Sequence, residues 1–309
     1  MNNEIKKFQF FQKRFTIFFN LIKYVIFSLI TSKSNKLFNK GSDKLSIISQ
    51  TEGVYEPVLN EYLKYCVNQK RMSDFLIDIG ANIGLISCQS GKLFKQVICF
   101  EPNPLCLNIL KVNTTLTLDT SKLEIYPYGL GENDEVLDLW IPKKNWGGAF
   151  VKSKHNLYDE KTLANKDEFF KLEKNNYIIK KVKICSSESK LKEIFDSLLT
   201  KNLTRGIIKI DVEGMEMTIL KGLSKILPKN MQIEIIFENW NEKLNFLLIE
   251  EFFLNRKITL NKFNNKIRYK HNSSRLIKGL KMLLSSNFTT LKELKKDEDL
   301  RGDLVISIL

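Results

Sequence analysis

From residue 75 onward the chain alternates short apolar runs with longer segments of helical periodicity, and this alternation constrains the fold more than any other feature of the sequence. The apolar runs are too short for helices and are rich in Ile, Val and Phe, so they read as strands buried on both faces. They lie at 75–79, 97–100, 123–128, 207–210, 233–237 and 304–309. Helices are predicted near 84–94, 104–113, 188–200 and 214–226. Strands alternating with helices predict an α/β protein built on a mostly parallel, doubly wound sheet with helices on both faces. Residues 136–141 alternate and are expected to pair locally, and 177–185 read as one more strand. Residues 152–176 are polar and poorly patterned and read as an insertion or lid. No internal repeat is present.

Charge divides the chain further. Lys and Arg number 49 against 35 Asp and Glu, a net +14. Residues 1–50 carry +7 and residues 256–281 carry +9, whereas 51–255 sum to −1. An ordinary neutral body therefore has two basic ends, which an anionic partner meets first. The expected organisation is an N-terminal basic, aromatic-rich helix and linker over 1–50, then one domain over 51–309. Within that domain, 152–205 hold the insertion and a connecting strand and helix, and 256–309 form a basic C-terminal part ending in the last strand. Residues 8–30 are the most apolar stretch, but Lys23 interrupts it and leaves no comfortable spanning length. Read as a helix, Gln9, Gln12, Lys13, Thr16, Asn20 and Lys23 form a narrow polar stripe opposite a wide aromatic face. Such a helix suits peripheral contact with a membrane surface and equally suits packing on the domain or a second subunit. No small-residue cleavage site follows it, which disfavours a signal peptide. The five cysteines, Cys66, Cys88, Cys99, Cys106 and Cys185, are odd in number and none has a C-x-x-C spacing. Buried free thiols in a reducing compartment are expected, hence a cytoplasmic location or the inner face of a membrane.

The chemistry concentrates at predicted strand ends. The run FLIDIGANIG (75–84) puts Asp78, Gly80, Asn82 and Gly84 at the end of the first strand of the alternating region. A glycine turn there brings backbone close to a ligand at a helix amino end. Its spacing is not the G-x-G-x-x-G of a dinucleotide site. The next strand ends in CFEPNP (99–104), where Glu101 can accept hydrogen bonds from both hydroxyls of a ribose. Asp78 and Glu101 at adjacent strand ends describe a pocket for a nucleoside carrying positive charge, and S-adenosylmethionine fits. A third cluster, IIKIDVEGME (207–216), sets Asp211 and Glu213 at another strand end. Methyl transfer needs alignment and removal of a proton from the acceptor, and Asp211 or Glu213 can act as that base. The same pair is a candidate for a divalent metal, although no His or Cys completes a transition-metal set. His155, in the lid-like segment, is a further candidate base.

Together these segments resemble the FkbM family of S-adenosylmethionine-dependent methyltransferases. The resemblance runs through Gly53-Val-Tyr-Glu-Pro57, Asp78-Ile-Gly-Ala-Asn-Ile-Gly84, Phe100-Glu-Pro-Asn103, Leu110-Lys-Val-Asn113, Asn145-Trp-Gly-Gly-Ala149 and Lys209-Ile-Asp-Val-Glu-Gly-Met-Glu216. It covers about residues 53–240. It implies a class I methyltransferase, Rossmann-like fold with a seven-stranded sheet whose last strand is antiparallel. It also implies cofactor contacts at Asp78, Gly80, Ala81, Asn82, Gly84, Glu101, Pro102 and Asn103, with Asp211 and Glu213 at the reaction centre. Family members typically methylate hydroxyls of sugars, macrolides and related metabolites. The T-L-D-like segment usual before the fourth strand is replaced here by Cys185-Ser-Ser-Glu-Ser189.

Three functions follow as expectations. The first is O-methylation of a carbohydrate or glycan-like hydroxyl, on a surface polysaccharide or a secondary metabolite. The second is nucleic-acid methylation, motivated by the +14 charge; it is disfavoured because the Asp-Val-Glu-Gly turn is acidic where base methylation uses an N-P-P-Y-like turn. The third is a non-catalytic S-adenosylmethionine-binding protein. Nothing in the sequence fixes an oligomeric state.

Overall fold

The computed structural model describes residues 8–31, 54–154, 156, 158, 160, 162–163, 172–240, 244–267 and 286–308. In chain order the elements begin with β1 (Gln9–Lys13), α1 (Arg14–Thr31), α2 (Pro57–Lys70), β2 (Phe75–Ile79), α3 (Leu85–Ser90), β3 (Gln96–Phe100), α4 (Pro104–Thr117) and β4 (Leu123–Tyr126). A short excursion follows through β5 (Gly129–Gly131), β6 (Glu135–Pro142), β7 (Phe150–Val151) and β8 (Tyr177–Ser186). The chain then runs through α5 (Ser187–Thr200), β9 (Arg205–Ile210), α6 (Glu216–Ile226), β10 (Gln232–Asn239), α7 (Phe246–Phe252), β11 (Ile258–Ile267), β12 (Ser286–Glu293) and β13 (Gly302–Ile308).

The main sheet has nine strands in the order β1-β12-β11-β13-β10-β9-β2-β3-β4. Neighbours from β4 through β10 are parallel. β13 is antiparallel to both β10 and β11, and the remaining pairs are antiparallel as well. The sheet is therefore mixed and wider than the seven-stranded, mostly parallel sheet expected from the sequence. The extra width comes from β12 and β1 added beyond β11. β11 reads ITLNKFNNKI and β12 reads SNFTTLKE, too polar to show as apolar runs. Antiparallel strands tolerate such composition because one face can meet water. β1 is likewise a correction, since Gln9–Lys13 was expected as the first turns of a helix and instead pairs with β12.

Alternating side chains of the central strands feed two cores. On one face Phe75, Ile77, Ile208, Ile210, Ile235 and Phe237 pack with Leu191 and Phe195 of α5, Ile219 and Leu223 of α6 and Ile249 of α7. On the other, Leu76, Val97, Cys99, Ile207 and Ile236 pack with Tyr62 and Leu63 of α2, Ile86 of α3 and Leu110 of α4. Each such side chain contributes about 1.5–3 kcal/mol on burial, so these two layers fix where the strand ends lie. α5 is capped by Ser186, whose side chain accepts from the Ser189 amide at 3.4 Å, so a serine caps the helix where the usual aspartate is missing. The second sheet, β5-β8-β6-β7, folds over the ends of β2 and β3 and carries an aromatic cluster of Trp140, Phe150 and Tyr177. Cys66, Cys99, Cys106 and Cys185 are buried, Cys88 is half-buried, and all five are free thiols.

One charged group lies inside the second core. Glu234 on β10 is buried; it accepts from Tyr62 Oη at 3.0 Å and Ser307 Oγ at 2.8 Å and pairs with Lys70 Nζ at 2.6 Å. Lys70 reaches it from the end of α2 and ties that helix to the sheet. Removing only the cation leaves a buried carboxylate uncompensated, so Lys70→Met is expected to cost about 2–3 kcal/mol. The cost falls short of a fully buried pair because the lysine side chain is 21% exposed. A urea titration checks this, as a lower midpoint at unchanged slope.

Candidate active site

β2 and β9 run side by side in parallel with Asp78 opposite Lys209. Lys209 Nζ lies 3.2 Å from Asp78 Oδ1 and 3.3 Å from Asp211 Oδ2. The other oxygen of Asp78 accepts from Ser87 Oγ at 2.7 Å. Burial alone would lower the Lys209 pKa, but Asp78, Asp211 and Glu56 reverse that and hold it above the ordinary lysine value. Backbone bonds repeat the connection: the Asp211 amide donates to Ile79 at 2.9 Å, and the Gly80 and Ala81 amides donate to Phe100 at 3.0 and 2.9 Å. Gly80 has φ +80°, and a Cβ on it would collide with the Asp211 carbonyl oxygen. Glycine is required there because the two turns touch.

Beside this junction lies a small cavity of about 70 Å³ lined by Gly80, Asn82, Glu101 and Pro102 from the main sheet. Gly129, Leu130, Leu139, Trp146, Ala149, Val151 and Ile184 close it from the second sheet and its connections. Glu101 is buried; Oε2 accepts the Asn82 amide at 2.7 Å and Oε1 the Asn103 amide at 2.6 Å. Each oxygen keeps a further lone pair for a ligand hydroxyl. Burial raises the Glu101 pKa to about 7, although the Asn103 and Asn82 amides pull it down. Asn82 Oδ1 is buried without a hydrogen-bond partner. An acceptor-rich end and an apolar wall offer the chemistry that ribose hydroxyls and an adenine face, as in S-adenosylmethionine, call for.

Four residues expected to touch the cofactor line neither this cavity nor the larger one below. Asp78 stands behind the turn and holds Lys209 and Ser87. Ala81 is buried and is fixed by its amide bond to Phe100. Gly84, at φ +85°, is needed for packing, since a Cβ there would lie 2.6 Å from Leu110 Cδ1. Asn103 caps α4, accepting from the Leu105 amide at 3.1 Å.

A larger cavity of about 460 Å³ adjoins the first, and Asn82, Gly147 and Asp211 line both. Tyr55, Glu56, Lys209, Glu213, Glu238, Phe263 and Asp303 are among its other walls. Three of its residues are non-glycines with positive φ: Glu56 at 47°, Asn82 at 53° and Glu213 at 31°. Each costs about 1–3 kcal/mol, and such strain clusters where function requires it. The strained turn at Glu213 is braced by Asn156, whose Nδ2 donates to the Glu213 carbonyl at 2.9 Å. Glu216 folds back onto the Gly214 amide and serves the start of α6. Burial raises the Glu56 pKa, with Lys209 opposing and Asp211 adding to the rise. Asp211 and Glu213 are thus brought to one cavity as expected. His155 lies outside the described residues. Among the described residues no group of three His, Cys, Asp or Glu side chains could hold a metal ion, Asp211 and Glu213 included. Sequence reasoning missed Glu56 and Lys209 as site residues. Their signals were the Tyr-Glu-Pro entry into α2 and the lysine two residues before Asp211.

Comparison with known proteins places the chain among methyltransferases. A model of the methyltransferase FkbM domain matches residues 78–258. The chain is 27% identical over 206 residues to methyltransferase sdnD of Sordaria araneosa, covering 62% of this chain and 79% of that protein. It is 26% identical over 153 residues to methyltransferase 1 of Beauveria bassiana, covering 48% of this chain and 58% of that protein. The solved structure of methyltransferase FkbM from Methylobacillus flagellatus KT superposes with a TM-score of 0.34 at 13% identity, over 88% of this chain and 58% of that one.

The Glu101 carboxylate must be ionised to accept two hydroxyls, so ligand binding opposes its protonation. With its pKa raised to about 7, S-adenosylhomocysteine affinity is expected to rise about fivefold to tenfold between pH 6 and pH 8. Calorimetry checks this, and the dependence is expected to vanish in Glu101→Gln.

Proposed function

The chain belongs to the FkbM methyltransferase family, and on that premise we propose that it moves a methyl group from S-adenosylmethionine to a hydroxyl of a carbohydrate or glycan-like acceptor. The observation that carries this reading is the wall of the larger cavity, which Glu56, Asp211, Glu213, Glu238 and Asp303 line together with Lys209. Ionised carboxylates only accept hydrogen bonds, so they suit a partner rich in donors, as a polyol is. The same wall repels phosphates, which argues against a nucleic-acid acceptor despite the net charge of +14.

S-adenosylmethionine, when bound, supplies an electrophilic methyl on a sulfonium. The chain supplies position and proton handling. Glu101 and Asn82 hold the nucleoside, and the apolar wall from Leu130 to Ile184 keeps water from it. Asp211, on the rim shared by both cavities, accepts from an acceptor hydroxyl and orients it. Glu56 takes the proton from the reacting hydroxyl, since a carboxylate whose pKa is raised is a stronger base. Lys209 offsets the negative charge gathered around it. Glu213 lines the same wall and holds the far side of the acceptor.

Glu56→Gln is expected to lower kcat about 10²- to 10³-fold while leaving S-adenosylhomocysteine affinity within about threefold. Methyl transfer is measured against a panel of free sugars, oligosaccharides and lipid-linked glycans. A wild-type protein that binds S-adenosylhomocysteine yet methylates none of them would overturn the carbohydrate assignment.

A further inference from the structure

α1 is turned the wrong way round for a helix that packs on its own domain. Its inward stripe is Arg14, Ile17, Asn20, Tyr24 and Ser28, with Asn20 buried and the others half-buried. Its outward side presents Phe15, Phe18, Leu21, Ile22, Val25 and Ile26 to solvent, with Leu21 as much as 61% exposed. A helix at a protein surface ordinarily does the reverse. The helix is held by what precedes it: Phe8 is buried and meets Tyr62, Tyr65 and Phe263 at ring distances of 5.2, 5.6 and 6.0 Å, and β1 pairs along β12. The exposed apolar side is therefore fixed to the body at the outer edge of the main sheet.

Charge says what covers it. Lys13, just before the helix, and Lys23, in its middle, are exposed. The first 50 residues carry a net +7. β12 lies between β1 and β11, and the basic 256–281 segment enters the sheet as β11, whose Lys266 is in register with Phe288 of β12 just as Phe11 of β1 is from the other side, so both basic segments join the fold at this side of the sheet. The body between them sums to −1. From this pairing of an outward apolar helix with a concentrated positive field, we propose that α1 docks the protein on an anionic lipid bilayer. The helix lies in the interface, with its apolar side chains at the acyl boundary and lysines among the headgroups. No described helix is long and apolar enough to cross a membrane, and Lys23 in the middle of α1 agrees with lying on the surface. Phe8 also packs on Phe263, which lines the larger cavity, so the docking element is seated beside that cavity's wall.

The test is flotation of the full chain with vesicles of phosphatidylcholine alone and of phosphatidylcholine mixed with phosphatidylglycerol, at low and high salt. Light scattering gives the oligomeric state, and S-adenosylhomocysteine calorimetry reports an intact body. The wild type is expected to float with the anionic vesicles, less so at high salt. Phe18→Glu/Leu21→Glu/Val25→Glu is expected to lose partitioning by about tenfold or more with unchanged S-adenosylhomocysteine affinity. Lys13→Gln/Lys23→Gln is expected to lose binding chiefly at low salt. Wild type that fails to float with anionic vesicles overturns the proposal. So does equal flotation of the triple variant. A wild-type dimer that the triple variant converts to monomer, without vesicle binding, assigns the face to a second copy of the chain instead.

Discussion

Lys209 is buried between Asp78 and Asp211, and the functional end of the molecule is arranged around it. A lysine taken out of water needs compensation on more than one side. Here Asp78 comes from the neighbouring strand and Asp211 from two residues along its own, so the charge joins the ends of β2 and β9. The Asp211 amide bond to Ile79 and the close approach of Gly80 to the Asp211 carbonyl make the same junction in backbone. The glycine turn, the Glu101 turn and the Asp-Val-Glu-Gly turn are thereby fixed relative to one another.

Two cavities with different chemistry result from one junction. The smaller is walled mostly by aliphatic and aromatic side chains and ends in Glu101, whose oxygens each hold a backbone amide. The larger is acidic and contains strained backbone at Glu56, Asn82 and Glu213. The fold carries that strain because the turns are overdetermined by the junction and by Asn156. Burial keeps both Glu56 and Glu101 easier to protonate than ordinary carboxylates.

Much of this was legible in the residues. β2, β3, β9, β10 and β13 announced themselves because burial on both faces favours largely apolar runs. Asp211, Glu213, Asn82 and Glu101 were readable because ligands bind where parallel strands end. β11 and β12 were not, since antiparallel strands with one face toward water need no apolar continuity and their residues are mostly Asn, Lys and Thr. β1 was hidden for the opposite reason: QFFQK continues the hydrophobicity of α1, and only its pairing with β12 marks it as a strand. Asp78 sat in the right motif, but the sequence could not show that its charge is spent on Lys209 behind the turn. The second sheet's contribution to the small cavity depends on long-range packing of Leu139, Val151 and Ile184, which no local spacing encodes.

The dependence of the site on Lys209 is tested most directly by calorimetric titration of S-adenosylmethionine into the wild type and into Lys209→Met, each shown to be folded by circular dichroism. The expected result is stoichiometric binding by the wild type and a loss of about tenfold or more in the variant, because Asp78 and Asp211 then lack the charge that holds the two turns together. A folded wild type that does not bind, or a Lys209→Met protein that binds as tightly as the wild type, would contradict it.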